Sequence, residues 1–300
     1  MTVTSDRSQD RGAVNRLLRS AARHSYDPDV DLDWDAPEVP GLWAMQPERM
    51  SLYGTPLWDR LTDEQRIELS KHEVASVASV GLWFEILLMQ LLLKDVYRSD
   101  PTDPRTHFAL TEIADECRHS TMFGRAIGRF GVPAYGPRPQ VRRLAKVFPL
   151  IARGAGAYAS VLIGEEPIDR WQREQMNDER IQPMVRMVSR IHVLEEARHV
   201  AFAREELEKA VARMGRTERL VQQTVTAQAA FVMMRSLVHP DVYAAVGIDP
   251  REGRRAALGN ESYRSTIAWM GEKVMPYLEE QGMVGGGYNR KVWRASLLLP

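Results

Sequence analysis

From about residue 60 onward, apolar residues recur at three- and four-residue spacing, in long stretches separated by short breaks rich in Pro, Gly and Asp. Thr62 followed by Gln65 makes a capping-box pattern, and Asp63 and Glu64 suit a first turn, so a helix is predicted from there to about Tyr97. The run Ser99 to Pro104 breaks it. Asp103 can cap a second helix, with Pro104 in its first position, reaching about Phe130. Gly131 and the prolines between 133 and 139 end that helix. A third is predicted from about Ala155 to Asn177, with a kink at Pro167, and a fourth from about Pro183 to Met214. A fifth covers Glu218 to Val238, stopped by His239-Pro240, and a last one about Tyr263 to Glu280. The tail ends in apolar residues expected to dock on the body. No convincing run alternates apolar and polar residues as a strand would, so the expected class is all-α.

Outside these stretches the pattern weakens. Residues 1–12 read as a disordered arm. From about Tyr26 to Trp58 the chain is rich in Pro and Asp, with Trp34, Trp43, Tyr53 and Trp58 as aromatic anchors, and reads as an irregular lead-in wrapping a core. Residues 13–300 are expected to form a single domain whose core spans about 62–214. The most apolar run, Val80 to Leu93, contains Glu85 and Gln90 and is expected to be too short for a membrane span. The polar N-terminus lacks the apolar segment of a signal peptide.

Charge and cysteine content narrow the partners. Forty Lys and Arg balance forty Asp and Glu, so a nucleic-acid partner is not expected. Cys117 is the one cysteine, which excludes an internal disulfide and cysteine-based metal sites and fits a cytoplasmic compartment.

The candidate chemistry lies in two Glu-x-x-His motifs, Glu116 to His119 and Glu196 to His199. Residues three apart share a helix face, so each pair can ligate a metal, but one such motif alone is weak. Their relation strengthens them. The motifs are 80 residues apart, and so are Glu85 and Glu165, each of which precedes its motif by 31 residues in an apolar helix. One Glu from each of two helices and Glu-x-x-His from each of two others is what a four-helix carboxylate site for two metals requires. Glu85 sits in GLWFEILLMQLLL, where a carboxylate must be protonated, paired or metal-bound. The offset selects Glu165 over Glu166, which points well away, and the motif spacing selects Glu196 over Glu195.

Neighbouring residues are more open. His192 stands four residues before Glu196 and seven before His199, on one stripe, so it reads either as a third histidine ligand or as a satisfied core histidine. Its counterpart 80 residues earlier is Glu112, which would break the symmetry. Asp115, more readily than Glu195, can orient a ligand histidine; the alternative is an ordinary solvated acid. Tyr158, on the face of Glu165, either lines the site or packs in the core. Gly81 either leaves room for substrate or O2 or makes a helix contact. Cys117 is expected to be a core or semi-buried thiol facing away from the metals, and Met89, Leu92 and Leu93 a core stripe. The basic stretch Arg138 to Arg153 reads as a loop and helix face, with docking of a reductant as a second reading.

At WFEILLMQ around Glu85, LTEIADECRH around Glu116 and His119, LIGEE at Glu165 and IHVLEEARH from His192 to His199, the sequence resembles the AurF-type diiron oxygenases, named for the p-aminobenzoate N-oxygenase. The resemblance spans roughly residues 60 to 210, and its most specific element is His-x-x-x-Glu-x-x-His. It implies a ferritin-like four-helix bundle with additional N- and C-terminal helices. It also implies seven metal ligands: Glu85, Glu116, His119, Glu165, His192, Glu196 and His199. The cofactors implied are two iron ions per chain, with O2 as co-substrate and an external electron donor, since no flavin or nicotinamide fingerprint is present. The activity implied is oxidation of an arylamine nitrogen towards hydroxylamine, nitroso or nitro. A small-molecule arylamine, a reductase or ferredoxin-type donor and a homodimeric assembly are the partners implied. Carbon hydroxylation or desaturation, and iron or peroxide handling without an organic substrate, are the alternative activities. Manganese can take the same ligands.

Overall fold

The computed structural model describes residues 2–300, with side chains from Gly12 onward. Of the arm expected over residues 1–12, residues 2–12 belong to a helix, and the side chains of residues 1–11 lie outside the described residues. In chain order the helices are α1 (Thr2–Arg23), α2 (Pro28–Asp31), α3 (Pro56–Asp59), α4 (Asp63–Val96), α5 (Pro104–Arg129), α6 (Pro139–Ala145), α7 (Phe148–Ile151), α8 (Ala155–Gln175), α9 (Pro183–Arg213), α10 (Arg216–Ser236), α11 (Pro250–Gly259), α12 (Glu261–Gly271), α13 (Val274–Glu280) and α14 (Gly287–Ser296). Short 3-10 turns add Pro47–Arg49 and Pro240–Val246. Among the described residues there is no strand, only one isolated bridge between Trp43 and Ile181. The class is all-α.

Local chemistry sets the ends of the long helices. Both arms of the capping box at α4 are made: Gln65 N donates to Thr62 Oγ1 at 3.3 Å, and Thr62 N to Gln65 Oε1 at 3.0 Å. Asp103 Oδ1 accepts from Arg105 N at 2.9 Å with Pro104 in the first turn of α5. Pro167 lies inside α8, which continues through it to Gln175.

Helix pairing positions the site. α4 packs along α5 and α8 along α9, and α5 and α9 meet across the middle. α1 lies over α5 and α9, and α10 lies against α8 and carries α14. The four central helices form the ferritin-like bundle, and the rest of the chain covers it.

Several expectations need correction. The single helix expected over Tyr263 to Glu280 is two, α12 and α13, and α11 precedes them. Gly271 at the break lets Leu298 of the tail approach; a Cβ there would lie 2.8 Å from Leu298 Cδ2. The tail forms α14, whose Trp293 is fully buried and donates from Nε1 to Val284 O at 3.1 Å. Leu92 is core but Leu93, one residue round the helix, is half exposed. Cys117 is exposed rather than core or semi-buried, because the inward direction at this turn is taken by Glu116. By length and composition α4 does qualify as a candidate membrane span, since the apolar stretch extends beyond Val80–Leu93. Half of that apolar window is buried within the bundle, and α4 turns Glu73 and Glu85 inward.

Candidate metal centre

Each central helix delivers charged side chains to one buried layer. α4 brings Glu85, α5 brings Glu116 and His119, α8 brings Glu165, and α9 brings His192, Glu196 and His199; all are at most 2 % exposed. The structure thus brings together all seven residues singled out from the sequence. Donor atoms of Glu85, His119 and His192 lie within 4.8 Å of one another, as do those of Glu116, His119 and Glu196, and of Glu165, His192 and Glu196.

The two motif glutamates occupy the centre. Glu116 Oε2 and Glu196 Oε1 lie 3.2 and 3.3 Å from His119 Nδ1, and Glu116 Oε1 and Glu196 Oε1 lie 3.1 and 3.0 Å from His199 Nδ1. Each carboxylate therefore reaches both imidazoles. Glu85 and Glu165 stand at the outside. Their partners in sequence diverge sharply: Glu166 points away and makes a two-pronged ion pair with Arg204 at 2.8 and 2.6 Å.

The outward ring nitrogens are held by carboxylates in a crossed arrangement. His119 on α5 faces Glu195 Oε2 of α9 at 2.8 Å through Nε2, and His199 on α9 faces Asp115 Oδ2 of α5 at 3.2 Å. A carboxylate accepts only, so each Nε2 carries a proton. Against the lowering effect of burial, the surrounding carboxylates hold both imidazoles well above their usual range, so without a metal each Nδ1 is also a donor to the central glutamates, and a metal there would displace that proton. Asp115 thus takes the orienting position expected of it. Glu195 does so as well, at a shorter distance, where the sequence pattern had favoured Asp115. Both are buried, not solvated. Arg198 neutralises them together, at 3.2 Å from Asp115 and 3.7 Å from Glu195, and Arg118 also pairs with Asp115.

His192 is turned the other way. Its Nδ1 meets Gln172 Oε1 at 2.6 Å, leaving Nε2 without a hydrogen-bond partner, 3.4 Å from Glu85 Oε1 and 3.8 Å from Glu196 Oε1. Gln172 was not singled out from the sequence, although it lies two turns beyond Glu165 on the same stripe of α8. Tyr158 packs with Phe108 and Phe202 in an apolar cluster, and burial pushes its hydroxyl far up. It makes no hydrogen bond to the seven residues.

Burial and charge explain the electrostatics. Burial and the nearby Glu116 charge push Glu85 well above the usual carboxylate range; burial and Glu196 do the same to Glu165. For Glu116, burial and Glu196 also push upward, but hydrogen bonds from His119 and His199 outweigh them and hold it at about 2. Burial pushes His192 down to about 4, so its imidazole is neutral and available as a ligand. Buried Glu85 Oε2, Glu165 Oε1, Glu196 Oε2 and His192 Nε2 all lack hydrogen-bond partners. Orphaned donor atoms converging on one point are costly in an apolar interior and are what a cation would satisfy. Four central carboxylates carry the charge to balance two divalent ions, and oxygen-rich ligands with imidazole suit iron or manganese. The residues fit a two-metal centre.

A small apolar cavity of about 60 Å³ adjoins this layer at Glu85, Glu165 and His192. Phe84, Phe123, Trp171, Val188 and Met233 form much of its wall. Gly164 is required beside it, since a Cβ there would fall 2.0 Å from Phe84 Cζ. Gly81 also lines the cavity, and an added Cβ there would make an ordinary 3.6 Å contact with Phe123.

Uncharacterized proteins of Mycobacterium bovis and of two Mycobacterium tuberculosis strains are 32 % identical to this chain over 211 residues, which is 68 % of this chain. The match spans 62 % of those relatives' own length. The family model described as P-aminobenzoate N-oxygenase AurF matches residues 7–282. The chain therefore belongs to the AurF family.

Proposed function

We propose that the chain is a non-haem diiron oxygenase that uses O2 to oxidise the nitrogen of a neutral aromatic primary amine. One observation carries the reading: the unpartnered donor atoms of Glu85, Glu165 and His192 belong to residues that wall an apolar cavity large enough only for a small reacting group. Glu85, Glu116, His119, Glu165, His192, Glu196 and His199 would hold two iron ions, and iron so bound supplies the activation of O2.

The chain's own residues then have distinct tasks. Glu116 and Glu196, between both imidazoles, and Glu85 and Glu165, at the outside, would supply the anionic oxygens. Glu195 and Asp115 keep the His119 and His199 protons on the outward nitrogens. Gln172 keeps the His192 proton on Nδ1. The apolar wall excludes water and favours an uncharged amine, whose nitrogen lone pair is what reacts. Among the described residues that line the cavity there is no Lys or Arg, so an amine carrying a carboxylate finds no cationic side chain there.

Conversion of an amine to a hydroxylamine places one atom of O2 in a new N–O bond. The other atom is reduced to water with two electrons and two protons. The reading therefore includes an external reductase or ferredoxin-type donor, and it extends to a homodimer in the cytoplasm. The test is a single turnover of the reduced, iron-loaded protein with labelled O2 and a panel of neutral arylamines, aminobenzoates and amine-free aromatics. Neutral arylamines are expected to speed the decay of the optical signal that follows O2 addition and to yield labelled N–O products. Equal decay with every compound, or label found only in carbon-hydroxylated product, would remove N-oxygenation.

A further inference from the structure

The seven-residue centre is lopsided: His192 stands beside His119, with ring centroids 4.8 Å apart, but nothing in that set stands in the same way beside His199. Glu112 stands where such a ligand would be. It lies one turn before Glu116 and two turns before His119 on α5, the register that His192 holds to Glu196 and His199 on α9. We propose that Glu112 is an eighth protein ligand of the centre, binding the ion held by His199 as His192 binds the ion held by His119. The proposal rests on the two-iron reading above.

Three observations point the same way. Glu112 is 1 % exposed, so its carboxylate has left water. Its Oε2 has no hydrogen-bond partner, and among the described residues no Lys or Arg pairs with it. One of its carboxylate oxygens lies within 4.8 Å of a carboxylate oxygen of Glu116 and a ring nitrogen of His199, the same compactness that unites Glu85, His119 and His192. A buried, unpartnered carboxylate beside two other ligand atoms is the arrangement a hard cation satisfies.

This assignment makes the two ions chemically unequal. One would meet the imidazoles of His119 and His192 and the carboxylate of Glu85, whose donor atoms lie together. The other would meet the single imidazole of His199 and the carboxylate of Glu112. The oxygen-rich position favours the harder ion and the higher oxidation state. Glu112 would thus complete the pseudo-twofold arrangement of positions while breaking its chemistry.

Anaerobic titration of the full chain with ferrous iron, followed by Mössbauer spectroscopy, tests the proposal on the wild type, Glu112→Gln and Glu112→His. Far-ultraviolet circular dichroism and melting of the metal-free forms check folding. The wild type should take up two ions in distinguishable environments. Glu112→Gln, which keeps shape but loses the anionic oxygen, should bind one ion normally and the second roughly 10-fold or more weakly. Glu112→His should take up both ions, with the oxygen-rich spectrum shifted towards that of the other ion. If Glu112→Gln binds both ions with wild-type affinity and unaltered spectra, Glu112 is not a ligand. If the wild type itself does not bind two ions, the two-iron reading fails first.

Discussion

Glu73 illustrates what burial does to a carboxylate that no cation answers. It is fully buried on α4 and accepts from Ser51 N at 2.9 Å and Ser51 Oγ at 2.6 Å, with Tyr243 OH 2.9 Å beyond. Burial pushes it up to about 7, against the lowering effect of the Ser51 hydrogen bonds. Below the ordinary carboxylate range both folded and unfolded chains hold the proton, so the group adds no pH dependence. Between about 4.5 and about 7 only the folded chain holds it, so stability falls as pH rises. The loss totals roughly 3 kcal/mol by pH 8 for one such proton. Glu73→Gln keeps an acceptor for Ser51 and removes the titration. In urea unfolding of metal-free protein, the variant should therefore gain on the wild type from pH 5 to pH 8. Parallel stability profiles would show that Glu73 is ionised in the fold. Nothing in the hydrophobic pattern marked Glu73, because its partners come from the lead-in and from the turn after α10, far away in sequence.

At the level of helices, the 80-residue offset has a physical meaning: α4 and α5 repeat as α8 and α9, and the crossed pairs Asp115–His199 and Glu195–His119 obey the same offset. Each carboxylate sits on one helix and steadies the imidazole of the other. Asp115→Asn and Glu195→Gln should therefore each weaken metal binding about 10- to 100-fold, in competition titrations against a chelator. Wild-type affinity in both variants would mean that the imidazoles are held by packing alone. The helices and their inward stripes were legible because side chains three, four and seven residues apart share a face. That is enough to place Glu116, His119, His192, Glu196 and His199 on facing stripes. The role of Glu195 was not legible, since it depends on how closely α5 and α9 cross. Cys117 and Leu93 went astray for a related reason: on an apolar helix, periodicity shows which residues share a face but not how far the buried face extends round it.

Across the whole molecule, the non-periodic segments do more than cover the bundle. Tyr26 N donates to Glu195 Oε1 at 3.0 Å, and Arg198 Nη1 reaches His24 O at 3.0 Å, so the lead-in is tied to the groups that hold the histidines. Further on, Trp43 exchanges backbone hydrogen bonds with the turn before α9, and Ala44 is bound by Ser70 of α4 and Gln175 of α8. Apart from the Ala44–Ser70 bond, these contacts join segments more than a hundred residues apart, which local patterns do not encode. They close the layer from one side while the apolar cavity adjoins it at Glu85, Glu165 and His192. If this closed layer holds two irons, as proposed, iron uptake reports it without recourse to any substrate. Protein loaded anaerobically with ferrous iron and freed of excess should retain two irons per chain, and Glu116→Ala with Glu196→Ala should abolish that uptake. Retention of a single zinc, of no metal, or of two irons despite the double substitution would contradict it.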